Sequence, residues 1–209
     1  MVVTFDTTGL QRVDETTWMH PGTGDRIIQQ VTNSPLGEPV WLEDVPAMRR
    51  NLATGYAQMG CLIEAEPVLL GGVRGVCQLV KVPIPNAPAG LVFLANIFLA
   101  KADRYVMFGC SAAEQGITGM RETTIMATLG VGLDGWVLPH PYAPDVRSAL
   151  PFHRGDDPAW DAQYPDHPLT RVRAWVRWVT ATATVDPGFA ALPEFVPSRP
   201  GPGAGHHHG

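Results

Sequence analysis

The chain has 209 residues, of which 45 % are hydrophobic and 17 % are charged, and its formal net charge at pH 7 is −5. This composition is typical of a globular protein and excludes a chain that is disordered throughout. The acidic balance argues against a nucleic acid as the main partner, because phosphate binding requires a concentrated basic surface. The length favours one domain with a sizeable core.

The sequence carries no signal of export or membrane insertion. The N-terminal residues do not join a basic start to an apolar stretch. The most apolar run, residues 91–100, is about half as long as a membrane-spanning helix. Cys61, Cys77 and Cys110 are odd in number and widely spaced, which favours buried, reduced thiols. We therefore expect a cytoplasmic protein without a membrane span.

The N-terminal part predicts an edge strand, a hairpin and a helix. Residues 2–5 fit a short edge strand. Residues 16–20 and 25–32 fit a hairpin whose turn is the Pro-Gly-Thr-Gly run between them. Residues 42–59 repeat apolar side chains at three- and four-residue spacing, which predicts an amphipathic helix with Asp44 as its N-cap.

The central block predicts four consecutive antiparallel strands. Apolar runs at residues 62–70, 76–83, 91–100 and 105–110 are separated by short turns. These strands are apolar on both faces, whereas an antiparallel sheet with one solvated face alternates apolar and polar residues. We therefore predict an α+β fold in which a central, mostly antiparallel β-sheet is flanked by helices, as in an α/β/α sandwich.

Two more helices are predicted in the C-terminal half. Residues 119–129 are expected to form a helix that Thr118 caps. Residues 168–183 are expected to form a helix that Asp166 caps, with Pro168 in its first turn.

The long segment at residues 133–167 separates these two helices. We expect it to be an ordered loop insertion, because its aromatic side chains need somewhere to pack. Residues 1–190 are then predicted to form a single globular domain. Residues 191–209 are rich in proline, glycine and histidine, which predicts a disordered tail.

The first candidate site is the turn at residues 114–122. A helix N-terminus exposes unpaired N–H groups and can hold an anion, and Arg121 in the first turn would strengthen that attraction. Alternatively the turn is only capped, so that Thr118 satisfies the N–H groups and Arg121 pairs with Glu114 or Glu122. No glycine-rich phosphate-binding pattern accompanies this turn.

The second candidate site is the acidic stretch at residues 156–173. Its carboxylates suit a hard cation such as Ca²⁺, although their spacing matches neither an EF-hand loop nor an HExxH zinc helix. Alternatively His167 acts as a base that Asp161 or Asp166 orients.

The same stretch also has a structural explanation. Asp157 lies beside a proline, where aspartate commonly caps a turn. Asp161 could pair with Arg171 or Arg173 of the following helix, while the neighbouring aromatic side chains clamp the loop to the core. We therefore expect neither a bound metal nor a cofactor.

The order of the elements resembles that of the PsbP-like superfamily of α/β/α sandwiches. The resemblance covers residues 16–130 and rests on the hairpin, the first helix and the meander. The meander contains the run EAEPVLLG at residues 64–71 and the run LVFLANIFLAKADRYVMF further on. Members include photosystem II PsbP, a Ran-binding nuclear-import factor, DcrB-type and LpqN-type bacterial proteins and adaptor chaperones of type VI secretion. The resemblance implies a non-catalytic binding or assembly module.

The favoured hypothesis is a non-enzymatic module that binds another protein, as a cytoplasmic adaptor or chaperone in a bacterial assembly or secretion system. Aromatic residues and arginine dominate the energetics of protein interfaces. The contact residues expected on this basis are Arg121, Thr118, Trp136, Trp160, Tyr164 and Arg171. The composition also allows a homodimer.

The alternative hypothesis is a hydrolase, with or without a metal. His167 would be its base, and Asp161 or Asp166 would orient that base. Arg121 would hold an anion or an oxyanion at the start of the second helix.

Overall fold

The computed structural model describes residues 1–33 and 42–196, and its core is a seven-stranded antiparallel sheet. In chain order the strands are β1 (Val3–Thr4), β2 (Gln11–Arg12), β3 (Thr17–Met19), β4 (Arg26–Thr32), β5 (Cys61–Leu70), β6 (Val73–Pro83), β7 (Leu91–Ala100), β8 (Tyr105–Ala113) and β9 (Thr184–Val185). The large sheet has the order β2-β3-β4-β8-β7-β6-β5, and β1 pairs with β9 in a separate ladder. The predicted α+β fold around an antiparallel sheet is confirmed.

Within the described residues the helices are α1 (Val45–Tyr56), α2 (Met120–Leu129), α3 (Leu133–Trp136), α4 (Pro168–Thr182) and α5 (Pro187–Ala190). Two 3-10 helices, Arg154–Asp156 and Pro158–Gln163, interrupt the long segment before α4. None of these helices is both long and apolar enough to cross a membrane.

Helix α4 packs on one face of the sheet. Its apolar stripe, which includes Leu169, Val172 and Val179, is buried in one cluster with side chains of β7 and β8. The β7 members of that cluster alternate along the strand, as a pleated strand requires. They are Phe93, Ala95, Ile97 and Leu99. Residues of β1, β9 and α5 complete this side of the core.

Helix α1 covers the other face at its β5–β6 edge. Met48 and Ala53 of the helix are buried with side chains of the two strands, namely Leu62, Ala65, Val76 and Val80. The same face continues over β7, β8 and β4, where Leu94, Phe98 and Met107 are half-buried and Ile28 is exposed. Within the described residues one face of the sheet is therefore covered by α4, α5 and the β1–β9 ladder, whereas α1 covers only part of the other face.

A β-bulge in β5 changes the direction of one acidic side chain. Leu62 is paired with Val80, yet Glu64 is paired with Leu79, so Ile63 is an extra residue. One inserted residue reverses the face to which the following side chains point. Glu64 therefore points to the α4 side of the sheet, where its carboxylate accepts a hydrogen bond from Arg173 of α4.

Residues 191–196 are ordered, so the predicted disordered tail does not begin at residue 191. The buried Lys101 ammonium binds the Glu194 carboxylate across a β-bridge between the two residues. The Phe195 ring packs at the end of β8, with its centroid 5.6 Å from that of Tyr105. The remainder of the predicted tail, residues 197–209, lies outside the described residues.

Removing a side chain from the α4 face should cost far more stability than the same change on the partly covered face. The Phe108 ring is fully buried, and its centroid lies 5.0 Å from those of Phe5 and Trp175. We expect Phe108→Ala to lower the free energy of unfolding in urea by about 3–5 kcal/mol. The control Ile28→Ala should cost about 1 kcal/mol or less, because that side chain is exposed. Equal losses would contradict the asymmetry of the two layers.

Candidate functional site

Polar side chains gather where the N-terminal end of α4 meets α2 and the two 3-10 helices, and two clefts open beside them. The first cleft has a volume of about 340 Å³, and its lining includes Glu114, Ile117, Met120, Asp166, His167 and Arg171. The second cleft has a volume of about 450 Å³, and its lining includes Glu64, Leu129, Leu138, Phe152, His153 and Trp160.

Arg173 of α4 is the centre of a buried network of ion pairs. Its Nε donates to the Glu64 carboxylate at 2.7 Å, and its Nη1 donates to Asp161 Oδ1 at 2.9 Å. Its Nη2 donates to the backbone carbonyl of Asp156. The planar guanidinium thus joins α4 to β5 and to both 3-10 helices at once. The predicted alternative in which Asp161 pairs with Arg173 is confirmed.

Arg121, in the first turn of α2, is turned inward to the same network. Its Nη2 lies 3.2 Å from Asp161 Oδ1, and its Nη1 lies 3.4 Å from Thr170 Oγ1 and 3.2 Å from His167 Nδ1. Burial lowers the pKa of Arg121, while Asp161 opposes that effect. The side chain is 1 % exposed, so its charge is already neutralised inside the protein. It does not pair with Glu114 or Glu122, as the sequence had suggested it could.

A second buried ion pair joins the long segment to the sheet. Lys81 of β6 donates to both carboxylate oxygens of Asp156, at 2.9 and 2.7 Å, and both side chains are 1 % exposed. Asp156 also accepts the backbone N–H of His153 at 2.8 Å. A fully buried pair is stable only when such extra hydrogen bonds offset the loss of hydration.

The charges of this network balance one another. The cations are Lys81, Arg121 and Arg173, and the carboxylates are Glu64, Asp156 and Asp161. Buried charges that are already paired and hydrogen-bonded inside a protein attract an external ion only weakly. The network is therefore suited to holding segments together rather than to binding a charged ligand.

The carboxylate of Glu114 occupies the N-terminal end of α2, where an external anion would otherwise bind. The N-cap is Gly119, whose φ of 73° lies in the left-handed region, and its N–H donates to Glu114 Oε1 at 3.0 Å. The other oxygen of Glu114 accepts the N–H of Leu91 at 2.9 Å. Burial opposes ionisation, but these hydrogen bonds and the nearby His167 outweigh it and lower the pKa of Glu114. The prediction that Thr118 caps this helix is wrong.

Helix α4 is capped by His167 rather than by the predicted Asp166. The ring nitrogen Nδ1 accepts the N–H of Leu169 at 3.2 Å and also faces the Arg121 guanidinium. Both neighbours are donors, so Nδ1 must carry a lone pair, and the proton of the neutral ring must be on Nε2. Nε2 is buried and has no hydrogen-bond partner among the described residues.

The Nε2–H group of His167 faces two carboxylates. It lies 3.9 Å from one oxygen of Glu114 and 3.9 Å from one oxygen of Glu122. The three potential ligand atoms lie within 4.8 Å of one another, which a metal ion could bridge. A metal would need a lone pair on Nε2, and the cap on Nδ1 removes it. The group instead offers one donor between two acceptors, which suits a water molecule or a hydroxyl group.

The structure brings together some of the predicted catalytic residues and separates others. Arg121 contacts both His167 and Asp161, as described above. The hydrogen bonds of Asp161 go to Arg121, Thr170 and Arg173, so it does not orient the His167 ring. Asp166 is exposed on the wall of the first cleft.

Most of the predicted contact residues are engaged within the protein. Trp136 is buried and stacks on His153 with ring centroids 4.7 Å apart. The guanidinium of Arg121 lies over the Tyr164 ring. Arg171 donates from Nε and from Nη2 to the two carboxylate oxygens of Asp25, each at 2.7 Å. Thr118 and Trp160 are half-buried.

Several important polar residues were not predicted from the sequence. Lys81 lies among the apolar residues Leu79, Val80 and Val82 of β6, and a charge in such a run is a signal of a buried partner. Glu64 could not be placed, because the bulge that directs it inward has no local signature. His153 was noted only as a neighbour of the acidic stretch, although its buried Nδ1 lies 3.5 Å from Asp156.

The outward side of α2 with its flanking turns borders the first cleft at Ile117 and Met120 and carries no charged side chain of its own. We call it the α2 face, and it consists of Ile117, Met120, Thr123, Thr124, Ala127, Thr128 and Leu133, all exposed. Between residues 115 and 133 the only charged residues are Arg121 and Glu122. The Arg121 side chain is 1 % exposed and that of Glu122 is 17 % exposed, since both turn inward.

The threonines of the α2 face do not make it polar. The hydroxyls of Thr123, Thr124 and Thr128 each donate to the carbonyl four residues earlier at 2.8 Å. This back-bonding satisfies the hydroxyl within the helix. Dehydrating the α2 face therefore breaks few hydrogen bonds to water.

Comparison with protein-family models, with curated proteins and with solved structures found no match to this chain. The resemblance to the PsbP-like superfamily therefore stays a prediction based on the order of the elements.

Breaking the buried pair should destabilise the protein more than breaking an exposed one. Lys81→Met leaves Asp156 buried without its partner, and we expect a loss of about 3–5 kcal/mol in the free energy of unfolding. The double variant Lys81→Met/Asp156→Asn should be more stable than Lys81→Met alone. The control is Arg50→Met, whose pair with Asp145 is exposed, so that its loss should change the stability little. Similar losses for the two single variants would contradict this interpretation.

Acid should destabilise the fold through His153. Its pKa is lowered from 6.5 to about 4, chiefly because the ring is buried. Between these pH values the His153 ring is protonated in the unfolded chain and neutral in the folded protein. The free energy of unfolding therefore falls as the pH is lowered from about 6.5 towards 4. The expected loss at pH 5 is about 2 kcal/mol relative to pH 7. Urea unfolding at both values should show that His153→Gln removes this loss, whereas the exposed control His20→Gln retains it.

Proposed function

We propose that the protein is a non-enzymatic binding module that recognises another protein chain through the α2 face. The observation that carries this proposal is an exposed apolar surface without charge. Ile117 is 81 % exposed, Leu133 is 73 % exposed and Met120 is 56 % exposed. Adjoining exposed apolar side chains on one surface are typical of interaction sites.

The composition of the α2 face matches the centre of a protein interface. Interface centres are depleted of charged residues and contain large apolar anchors. The anchors here are Ile117 and Met120 before the middle of α2 and Leu133 after it. The contact residues predicted from the sequence included Trp136, Trp160 and Tyr164 of the segment at residues 133–167. The inward packing of Trp136 favours α2 as the contact surface and that segment as its support.

A cytoplasmic adaptor or chaperone of a bacterial assembly or secretion system remains the form of this function that we favour. All three cysteines are unpaired and buried. Burial raises the pKa of Cys61 to about 11 and that of Cys77 to about 12. Unreactive, reduced thiols are compatible with a reducing compartment.

A hydrolase is the second candidate, and the orphaned Nε2–H of His167 beside the first cleft is the observation in its favour. The geometry supports it less, because the lone pair that a base needs is used by the cap of α4. Asp161 is bound to two arginines and does not reach the ring. The remaining candidate base would be the carboxylate of Glu122.

A charge placed on the α2 face should prevent binding. We expect Thr124→Glu to lower the amount of protein that co-purifies with a tagged bait from its native host by about tenfold or more, because burying an unpaired carboxylate is costly. The control Asn51→Glu places the same charge on the exposed side of α1 and should bind as the wild type does. Capture is quantified by mass spectrometry. Equal capture by both variants would refute the assignment of the contact surface.

A further inference from the structure

We infer that the first cleft binds a neutral polyol, and that His167, Glu114 and Glu122 hold a vicinal diol of this ligand. The inference goes beyond the proposed protein-binding function and does not depend on it. It follows from buried polar atoms without a partner, from the distances between them and from the charges around the cleft.

The three side chains leave polar atoms unsatisfied at one place. His167 Nε2 and Glu122 Oε2 are both buried and have no hydrogen-bond partner among the described residues. The His167 side chain is only 10 % exposed, and His167 and Glu114 both line the first cleft. Buried polar groups are almost always hydrogen-bonded, so these atoms indicate a ligand that supplies the missing partners.

The distances select a ligand oxygen that both accepts and donates. The Nε2–H group of His167 lies 3.9 Å from Oε1 of Glu114 and 3.9 Å from Oε1 of Glu122. These gaps are too long for a direct hydrogen bond, but an oxygen about 2.8 Å from both atoms closes either of them. A hydroxyl oxygen can accept from Nε2–H and donate its own proton to a carboxylate.

Charged ligand groups fit this arrangement less well than a hydroxyl does. An ammonium ion has no lone pair for the Nε2–H group of His167, and an ionised carboxylate has no proton for the two glutamates. The nearby cations offer nothing to an anion, because Arg121 is paired with Asp161 and Arg171 with Asp25. The ligand is therefore neutral and carries hydroxyl groups.

Two acceptors beside one donor favour two neighbouring hydroxyl groups. One hydroxyl accepts from His167 and donates to Glu114, and the other donates to Glu122. The three protein atoms lie within 4.8 Å of one another, a span that hydroxyls on adjacent carbons can bridge. Glu114 keeps lone pairs for this contact, because Oε1 accepts one N–H from Gly119 and Oε2 accepts one from Leu91.

Two of the binding groups are held in position before a ligand arrives. The backbone N–H groups described above fix the Glu114 carboxylate. The His167 ring is fixed by the N–H of Leu169 and by an edge contact with Phe93, whose ring centroid lies 5.3 Å away. Groups that are already ordered lose little conformational entropy when they bind.

The size and the rim of the cleft limit the ligand further. Its volume of about 340 Å³ lies at the lower end of small-molecule sites, which span roughly 300–1,000 Å³. It therefore suits a single sugar-sized ring. The exposed side chains of Ile117 and Met120 also line it, and they offer apolar surface to the C–H groups of such a ring.

The tautomer of His167 is the first test, and it needs no ligand. Long-range ¹H–¹⁵N spectra of the histidine rings in the full-length protein should show His167 with its proton on Nε2. A proton on Nδ1 would overturn the inference, because the donor to the diol would then be lost.

Titration with a matched pair of sugars is the second test. Methyl β-D-ribofuranoside has a vicinal diol and should shift the His167 ring signals with a dissociation constant of about 1–10 mM, as expected for so small a ligand. Its 2-deoxy counterpart lacks one of the two hydroxyls and should bind about tenfold more weakly or worse. Adenosine and 2′-deoxyadenosine show whether a nucleoside is the better source of the diol: tighter binding of adenosine than of the riboside favours a nucleoside, and weaker binding favours a carbohydrate.

Variants locate the diol on the protein. Glu122→Ala should weaken binding of the riboside by about tenfold. His167→Asn keeps a side chain that can cap α4 but removes the Nε2–H donor, and it should weaken binding to a similar extent. The control Glu15→Ala removes an exposed carboxylate elsewhere and should bind as the wild type does. Thermal unfolding of each variant checks that the fold is retained.

Equal affinity for the riboside and its 2-deoxy counterpart, or His167 signals that do not respond to either, would overturn the inference. The capture experiment with Thr124→Glu uses no polyol, so its outcome bears on the proposed function alone.

Discussion

The structure depends on the requirement that Arg173 be paired where it is buried. A guanidinium cannot lose its proton, so it must meet anions or carbonyls within the core. Its donors reach β5 through Glu64 and the two 3-10 helices through Asp156 and Asp161. The guanidinium thereby holds β5, which is distant in the chain, and the two 3-10 helices that precede α4 at the N-terminal half of that helix. Lys81 of β6 is likewise buried and paired, and its ion pair with the Asp156 carboxylate joins the first 3-10 helix to the sheet.

The same network explains why residues that look catalytic in the sequence have structural roles here. Arginine, aspartate and histidine lie close together, which is the composition of many active sites. Catalysis, however, depends on where lone pairs and protons point. Here Asp161 points to two arginines, and the Nδ1 lone pair of His167 caps α4. The second nitrogen of that ring carries a proton between Glu114 and Glu122, so the ring can donate a hydrogen bond but cannot accept a proton there.

Local patterns in the sequence predict the elements well, and long-range contacts determine the details that they miss. The central strands follow from apolar runs between turns, and the buried stripe of α4 follows from its periodicity. Both predicted N-caps were wrong by one residue. Glu114, which follows β8, accepts the N–H of Gly119 at the start of α2, and the His167 ring caps α4. The inward direction of Glu64 depends on a one-residue bulge, which only the pairing of β5 with β6 reveals. The partners of Lys81 and Arg121 lie 75 and 40 residues away in the chain.

The buried network and the α2 face are two consequences of one arrangement. A surface helix usually directs its charged residues to water and its apolar residues to the core. Helix α2 has only two charged residues, and Arg121 must turn inward because Asp161 of the network needs it, while Glu122 turns towards His167. No charged residue is then left for the outward side, where Met120, Thr124 and Ala127 meet the solvent. The interactions that occupy the candidate catalytic groups therefore also leave the outward side of α2 without a charged side chain of its own.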